Sequence, residues 1–329
     1  MRMFDFDVAG YRETYARESW VHIPRGVTPE FHEYLLEFVE KELASRLLDG
    51  FAIQGKKEQA LFEFPAEADY PDELFDVVSG VCGLDRGRMV LSERHIQAYE
   101  ANAAPEPVAH KDRYPSQVSL GVSVTIPEDS RLVLYPYDHR EINPFNRAAD
   151  LNRQLQPGHR PQDVLPGARE VELADRDRDV VMFAGSTTWH LRRRAANAVN
   201  VYFKLNDFGC DPLGEDSRSD DVRARSLGLL RSADFDRARA TPSRRLDTVS
   251  RVHTRDGWNE VLQVRVFGEE PVGITEPQWT ALRSLGDGRP VAEVLAALDA
   301  GTDPGSARRD LERLVELGAV DLDPATSGH

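Results

Sequence analysis

The sequence predicts an α+β fold whose core is an antiparallel double β-sheet of the jelly-roll or cupin type. Between Met89 and Asn206, short runs suited to strands are separated by clusters of Pro, Gly, Asn and Asp. These runs recur at even spacing, which is typical of two packed antiparallel sheets. Helical periodicity occurs before and after this region. We therefore expect a double-stranded β-helix with a helical buttress on its amino-terminal side and a small unit at its carboxyl end.

Two helices are predicted ahead of the β-rich region. Residues 29–48 carry apolar side chains at spacings of three and four, with Thr28 placed to cap the helix and Gly50 to end it. A second, shorter helix is predicted from Pro71 to Val81 on the same grounds. We expect both helices to support the sheet rather than to bind a ligand.

Seven strands are predicted in the core, and a polar stretch interrupts them. Their ranges are 89–99, 106–112, 117–126, 131–137, 170–174, 179–184 and 199–205. Residues 138–169 contain Pro144, Pro157, Pro161 and Pro166 and are too long for a simple turn. This stretch is either a loop insertion that could cover the site or a disordered surface excursion.

The last third of the chain has a different pattern. Residues 211–255 are dense in Arg, Asp and Ser, with one possible helix near Val222 to Leu230, and indicate a linker or covering segment. A strand at 261–267 follows, and then three short helices, the first opened by a capping box of Thr275 and Gln278. A small strand at 319–322 completes a pattern similar to a winged-helix unit. The expected domains are 1–210 (jelly roll), 211–255 (linker or covering segment) and 256–329 (winged-helix-like unit).

The composition excludes several classes of function. The chain has 329 residues and a formal net charge of −15, which disfavours binding to nucleic-acid backbones. Two cysteines are too few for a disulfide scaffold, and no apolar run is long enough to span a bilayer. We expect a cytoplasmic protein without a membrane or nucleic-acid partner. Acids outnumber Lys and Arg by 14 to 7 in residues 255–329, which favours protein contact or homo-oligomer formation through the carboxyl-terminal unit.

Three side chains form a candidate metal site. His110 and Asp112 are two positions apart, so a strand would project both from one face. His190 follows the strand-like run 179–183, which would deliver it to the mouth of the barrel. Two imidazoles and one carboxylate can occupy one face of an octahedral metal and leave the opposite face open for other ligands. We expect the three residues to be both the metal ligands and the catalytic centre.

These segments resemble the Fe(II)/2-oxoglutarate-dependent dioxygenases, especially the phytanoyl-CoA-hydroxylase-like and related bacterial branches. The resemblance is carried by His110-Lys111-Asp112-Arg113-Tyr114, the run from Asp179 to His190, and the strand 199–205, and it covers roughly residues 10–210. It implies Fe(II) bound by the three residues, 2-oxoglutarate as cosubstrate, and O2. The implied reaction is hydroxylation or a related C–H oxidation of a small molecule or peptide, with a role in bacterial biosynthesis.

The resemblance also implies a basic residue that binds the far carboxylate of 2-oxoglutarate. In the family this residue lies on the strand after the second histidine and is usually arginine, whereas this sequence offers Lys204, on the same strand face as Asn200. The arginines 192–194 follow His190 so closely that we expect them in a turn. Gln97 is a further candidate for binding the cosubstrate.

Three aromatic residues are candidates for binding substrate. Tyr99 shares a strand face with Gln97, Tyr135 lies on a predicted strand, and Trp189 adjoins a metal ligand. Ordinary packing in the sheet is the alternative for each of them. His95, in phase with Gln97 and Tyr99, is a spare candidate ligand.

Two other functions fit the same residues. A non-catalytic, metal-binding, cupin-like sensor would use the carboxyl-terminal unit to contact a protein partner. A cupin enzyme could use the same three ligands without 2-oxoglutarate, in which case Lys204 would not be needed for turnover.

Overall fold

The computed structural model describes residues 1–46, 57–66, 70–137, 141–146, 148–254, 257–299 and 304–325. The chain divides into two compact units, Met1–Gly209 and Cys210–His329. Within the described residues, no helix is both long and apolar enough to cross a membrane.

The first unit contains five helices and nine strands in its described residues. The helices are α1 (Ala9–Glu18), α2 (Pro29–Arg46), α3 (Tyr70–Cys82), α4 (Ala148–Gln154) and α5 (Pro161–Val164). The strands are β1 (Trp20–Ile23), β2 (Lys57–Leu61), β3 (Val90–Tyr99), β4 (Val118–Thr125), β5 (Arg131–Tyr135), β6 (Val171–Leu173), β7 (Val180–Phe183), β8 (Trp189–Arg193) and β9 (Val199–Asn206).

The strands form two antiparallel sheets. The larger sheet has the order β1-β7-β4-β9-β3-β2, and the smaller sheet has the order β6-β5-β8. An isolated bridge between His110 and His190 adds a further segment beside β8. Non-consecutive strands lie side by side in both sheets, as in a jelly roll. The predicted α+β class with an antiparallel double-sheet core is confirmed.

The larger sheet has one face lined by polar side chains and one packed against other elements. On β9, Asn200, Tyr202 and Lys204 alternate with Val201 and Phe203. Phe203 contacts Phe62, whose ring in turn contacts Phe31 of α2, with centroid distances of 5.6 and 6.3 Å. The larger sheet therefore packs through its apolar face towards α2, and its polar face is left for chemistry.

The smaller sheet is packed on both faces. Leu132, Leu134 and Leu173 share an apolar cluster with Val181 and Phe183 of β7, which places them between the two sheets. The opposite face of the smaller sheet carries a second cluster, formed by Ala109, Val133, Tyr135, Leu165, Trp189 and Leu191, with Leu151, Leu155, Val164 and Ala168 packed against it. Because Leu151 lies in α4 and Val164 in α5, these two helices cover the outside of the smaller sheet.

The structure differs from the sequence-based prediction at several segments. Residues 106–112 do not form a strand: only His110 is paired, in the bridge to His190. The expected turn at 192–194 is wrong for Arg192 and Arg193, which belong to β8, whereas Arg194 follows the strand. Residues 138–169, expected to be a loop, contain α4 and α5. The strands β1 and β2 were not predicted.

The predicted helices 29–48 and 71–81 are present as α2 and α3, and Thr28 caps α2 by accepting a hydrogen bond from the Phe31 amide at 3.2 Å. Residues 47 and 48 and the predicted stop at Gly50 lie outside the described residues.

In its described residues the second unit combines four α-helices with six strands. The elements are α6 (Ser217–Leu230), β10 (Arg239–Pro242), β11 (Leu246–His253), β12 (Glu260–Val266), β13 (Val272–Gly273), α7 (Glu276–Ser284), β14 (Arg289–Pro290), α8 (Val291–Asp299), α9 (Pro304–Glu316) and β15 (Val320–Asp323). The capping box of Thr275 and Gln278 is present at α7. Residues 211–255, expected to be a linker or covering segment, carry α6, β10 and β11 of this unit.

Candidate metal centre

The backbone places His110 and His190 directly opposite each other. Each histidine amide donates a hydrogen bond to the carbonyl oxygen of the other, at 2.9 Å in both directions. Their rings lie 4.4 Å apart between centroids. Because this pairing is made by the backbone, it fixes the two imidazoles on one side of the barrel independently of side-chain rotamers.

Asp112 completes the group. Its backbone amide donates to the Gly185 carbonyl at 3.0 Å, which ties the segment after His110 to the turn before β8. Asp112 Oδ1 is 3.7 Å from His190 Nε2. One ligand atom from each of His110, Asp112 and His190 lies within 4.8 Å of the others, and the described part of the chain holds no other such group of three. The structure therefore brings together the three predicted ligands.

The donor set fits a six-coordinate divalent ion. Nitrogen and oxygen donors bind such metals at about 2.1 Å, so that neighbouring donors of one ion lie roughly 3 Å apart. The Oδ1–Nε2 separation of 3.7 Å is within a small side-chain movement of that spacing. Two imidazoles and one carboxylate on a single face are typical ligands of non-haem Fe(II).

A backbone carbonyl selects the tautomer of His190. His190 Nδ1 is 3.0 Å from the Thr188 carbonyl oxygen, which can only accept a hydrogen bond. In the neutral imidazole, the form that binds a metal, the proton therefore lies on Nδ1 and the lone pair lies on Nε2, the nitrogen that faces Asp112. Both the ring orientation and the tautomer of this ligand are set by the strand itself.

Asp112 lies beside Lys204, His190 and His110 and stays ionised. Burial raises the pKa of this carboxyl, but Lys204, His190 and His110 lower it by more, so the net pKa lies well below its usual range. Lys204 Nζ is in ion-pair contact with Asp112 Oδ2. The Ser119 hydroxyl donates to the same oxygen at 2.6 Å. The carboxylate is therefore in the charged form that a metal requires.

Lys204, predicted to bind the cosubstrate, contacts Asp112, one of the three candidate metal ligands. The other two predicted cosubstrate residues lie farther along the same face of the larger sheet. Asn200 is four positions from Lys204 and is the cross-strand partner of Gln97. A spacing of four residues along a strand corresponds to about 13 Å. Asn200 and Gln97 thus line the interior away from the metal ligands.

The predicted substrate residues are divided between two faces. Tyr99 is hydrogen-bonded to Gln97, and burial raises the pKa of its hydroxyl well above the usual range. Trp189 precedes His190 on β8, so its side chain lies on the opposite face of the strand, where it packs with Tyr135 and Leu165. The structure does not bring Tyr135 or Trp189 to the metal ligands. His95 is placed beside Glu93 and Tyr202, outside the group of three.

A buried ion pair lies on the same strand face as His190. Arg192 donates two hydrogen bonds to the carboxylate of Asp175, at 3.1 and 2.8 Å, and these side chains are 2% and 0% exposed. Ser123 of β4 also donates to Asp175, at 2.6 Å. Arg192 Nε and Asn200 Oδ1 are buried and have no hydrogen-bond partner. Unsatisfied buried polar atoms of this kind are rare in folded proteins.

Sequence reasoning missed three residues that hold the ligands in place. Asn143 donates to the Asp112 carbonyl at 2.9 Å and lies in the stretch expected to be a loop. Ser119 lies within a predicted strand and was not singled out. Its alternation with Leu120 and Val122 could have indicated a small polar face. Gly185 allows close approach, because a Cβ there would lie 2.6 Å from Asp112 Oδ2.

Comparisons with known proteins give likenesses of structure only. No family model and no curated protein matches the sequence. The non-heme alpha ketoglutarate dependent carbocyclase SnoK from nogalamycin biosynthesis is 16% identical, with a TM-score of 0.44 over 64% of this chain and 89% of that one. A Pseudomonas putida prolyl-4-hydroxylase is 12% identical, with a TM-score of 0.42 over 60% and 99%. EctD from S. alaskensis, solved with 2-oxoglutarate and 5-hydroxyectoine, is 13% identical, with a TM-score of 0.41 over 63% and 82%.

The strand order and the geometry of His110, Asp112 and His190, rather than the likenesses, support the function proposed next.

Proposed function

We propose that the barrel is a mononuclear Fe(II)- and 2-oxoglutarate-dependent dioxygenase that hydroxylates, or otherwise oxidises a C–H bond of, a small molecule or peptide. The observation that carries this proposal is the convergence of His110, Asp112 and His190 within 4.8 Å at one end of a jelly roll. When bound, the iron and 2-oxoglutarate would supply O2 activation, with succinate and CO2 as coproducts. The residues of the chain hold, orient and shield these groups.

The protein's own part in the chemistry is positioning. The paired backbones of His110 and His190 fix the two imidazoles, and the Thr188 carbonyl fixes the tautomer of one of them. Asp112 supplies a carboxylate, and Lys204 with the two histidines keeps it in its charged form. Three ligands on one face leave three positions for cosubstrate and dioxygen on a six-coordinate ion.

We assign the far carboxylate of 2-oxoglutarate to Arg192 rather than to Lys204. Lys204 Nζ already forms an ion pair with Asp112 and a hydrogen bond with Ser119. Arg192 lies two positions after His190 on the same strand face, about 7 Å along the strand, which suits the length of a chelated five-carbon diacid. Its unpartnered Nε is available to a carboxylate. Asn200 and Gln97 are proposed as polar neighbours of the cosubstrate.

The substrate would enter the same interior, where Tyr99 remains a candidate contact. Tyr135 and Trp189 are assigned instead to packing under α4 and α5. The proposed organisation retains a jelly-roll domain over 1–210 and a winged-helix-like unit within 256–329 that contacts a protein partner.

Succinate formation tests the proposal. The purified chain, supplied with Fe(II), 2-oxoglutarate and O2, should produce succinate slowly even without its substrate, and omission of any one of the three should stop it. The variant His190→Ala should be inactive, and Trp189→Phe serves as a control on the opposite face of the same strand. No succinate above the level of His190→Ala would contradict the proposal.

A further inference from the structure

The two oxygens of the Asp112 carboxylate have different surroundings. Oδ2 accepts from Lys204 Nζ and from the Ser119 hydroxyl, the latter at 2.6 Å. Oδ1 faces His190 Nε2 at 3.7 Å. The two donors also contact each other, because Lys204 Nζ donates to Ser119 Oγ at 3.0 Å. The donors and Oδ2 thus form a closed triangle on one side of the carboxylate.

The backbone fixes this triangle. Ser119 of β4 and Lys204 of β9 are direct cross-strand partners, so the register of the sheet places both side chains under the same carboxylate. The side chain of Lys204 is only 5% exposed, and Ser119 is fully buried. A buried ammonium with a carboxylate partner is held strongly, since losing that partner would leave an unpaired charge in the interior.

We propose that Lys204 and Ser119 keep Asp112 a one-oxygen ligand, by occupying Oδ2 so that only Oδ1 binds the metal. This inference rests on the function proposed above. A carboxylate that binds through both oxygens takes two positions of a six-coordinate ion and would leave only two. The cosubstrate needs two positions and dioxygen needs one. Lys204 and Ser119 therefore preserve the third open position, the one that dioxygen requires.

The charge of Lys204 gives this role a distinctive signature. An ammonium close to a divalent ion repels it, so Lys204 weakens metal binding rather than strengthening it. Removing the charge should therefore leave metal affinity at least as high as in the wild type. Loss of the positioning role of Lys204 should then change the number of open coordination positions on the metal, and not reduce the affinity for the metal.

Mn(II) bound to the full-length protein provides the test, with water-proton relaxation to count its exchangeable waters. The wild type should hold about three waters, one for each open position. Lys204→Met should bind Mn(II) with no loss of affinity and hold about two, because Asp112 is then free to bind through both oxygens. Ser119→Ala, which removes one donor to Oδ2, should reduce the count in the same direction and serves if Lys204→Met does not fold. Lys41→Met, an exposed change on α2, is the matched control and should keep three.

The outcomes separate this inference from the proposed function. Three waters in both Lys204→Met and Ser119→Ala would overturn the positioning role while leaving the metal site intact. Unchanged hydration combined with lost 2-oxoglutarate binding in Lys204→Met would instead return Lys204 to the role of cosubstrate anchor. A wild type that binds no Mn(II) would overturn the proposed function itself.

Discussion

The side chain of Asp112 belongs both to the candidate metal centre and to a buried ion pair with Lys204. In its absence the buried ammonium of Lys204 loses its only carboxylate partner among the described contacts. We expect Asp112→Asn to lower the free energy of unfolding of the metal-free protein by about 3 kcal/mol, as for other broken buried ion pairs. Metal affinity should fall by roughly 100-fold or more, beyond the loss typical of residues that only support a ligand. Urea denaturation and Mn(II) titration measure the two effects, and unchanged values of both would contradict the site.

The stability contributed by Asp112 should depend on pH in a defined direction. Despite burial, which raises it, the pKa of this carboxyl is lowered in the folded protein by Lys204, His190 and His110. A lowered carboxyl pKa contributes stability that is complete above the unfolded value of about 3.9 and is lost as the pH falls below it. The difference in unfolding free energy between wild type and Asp112→Asn should therefore shrink as the pH falls below about 4. A difference that grows in acid would contradict the ionised, cation-stabilised carboxylate.

At this scale the sequence predicted three candidate metal ligands, which the structure brings together, but not the residues that contact them. His110, Asp112 and His190 were recognisable because residue types and spacing suffice to define a ligand set. Ser119 and Gly185 act through cross-strand register and close approach, which depend on contacts between segments distant in sequence. Lys204 was identified as an inward cation, but its partner could not be known before the register of β4 and β9.

Among the elements, β8 combines the most functions. It presents His190 and Arg192 to the interior and Trp189 and Leu191 to the helices outside. The sequence indicated a turn here because the three arginines follow His190 so closely. The structure buries Arg192 against Asp175, a partner 17 positions away that composition alone does not reveal. Pairing between distant segments could not be read from the sequence for residues 106–112 either. They were predicted as a full strand, although only His110 is paired.

The ion pair of Arg192 and Asp175 joins β8 to the larger sheet through Ser123. We expect Asp175→Ala to lower the unfolding free energy by about 3 to 5 kcal/mol, because it leaves the Arg192 charge buried and unpaired. The double variant Asp175→Ala, Arg192→Met should recover most of this loss, since both charges are then removed. Urea denaturation of the single and double variants measures the cycle, and additive losses would contradict a direct pair.

The same double variant tests the assignment of the cosubstrate. If Arg192 binds the far carboxylate of 2-oxoglutarate, the stabilised double variant should still bind 2-oxoglutarate roughly 30-fold more weakly, since a charged hydrogen bond contributes about 2 kcal/mol. Anaerobic calorimetry with Mn(II) present measures the affinity. Wild-type affinity in the double variant would exclude Arg192 as the anchor.

Substitutions on the outer face of β8 should change the stability of the protein without affecting the candidate metal centre. Trp189 is 3% exposed and packs with Tyr135 and Leu165, away from His190. We expect Trp189→Ala to lower the unfolding free energy by about 3 to 5 kcal/mol, as for other buried aromatic residues that are truncated. Mn(II) affinity, measured at a temperature where the variant is folded, should be unchanged. A loss of metal or cosubstrate binding that Trp189→Phe also shows would return Trp189 to the site.

For the whole molecule, the sequence predicted the class of fold and left the pairing of strands open. Alternation with period two is a local property, so most strands of the jelly roll were visible in the sequence. The order β1-β7-β4-β9-β3-β2 joins residues as far apart as Trp20 and Phe183 and follows from no local pattern. The capping box at α7 was predicted because its two residues are neighbours, whereas β10, β11 and β14 depend on partners elsewhere in the second unit.

The division into two units predicts that the metal centre needs only the first. All three ligands and their supporting residues lie within Met1–Gly209. A chain ending at Gly209 should therefore fold and bind Mn(II) with the affinity of the full-length protein. Circular dichroism and Mn(II) titration check this, and a folded fragment without metal affinity would show that the second unit contributes to the site.

The central claim is tested most directly by adding 2-oxoglutarate to the Fe(II)-loaded protein without oxygen and recording the visible spectrum. Chelation of iron by 2-oxoglutarate at three-ligand sites gives a charge-transfer band that neither component gives alone. We expect this band in the wild type and in Trp189→Phe, and its absence in His190→Ala. A wild-type spectrum that stays featureless under these conditions would contradict a site in which His110, Asp112 and His190 share one iron and leave room for the cosubstrate.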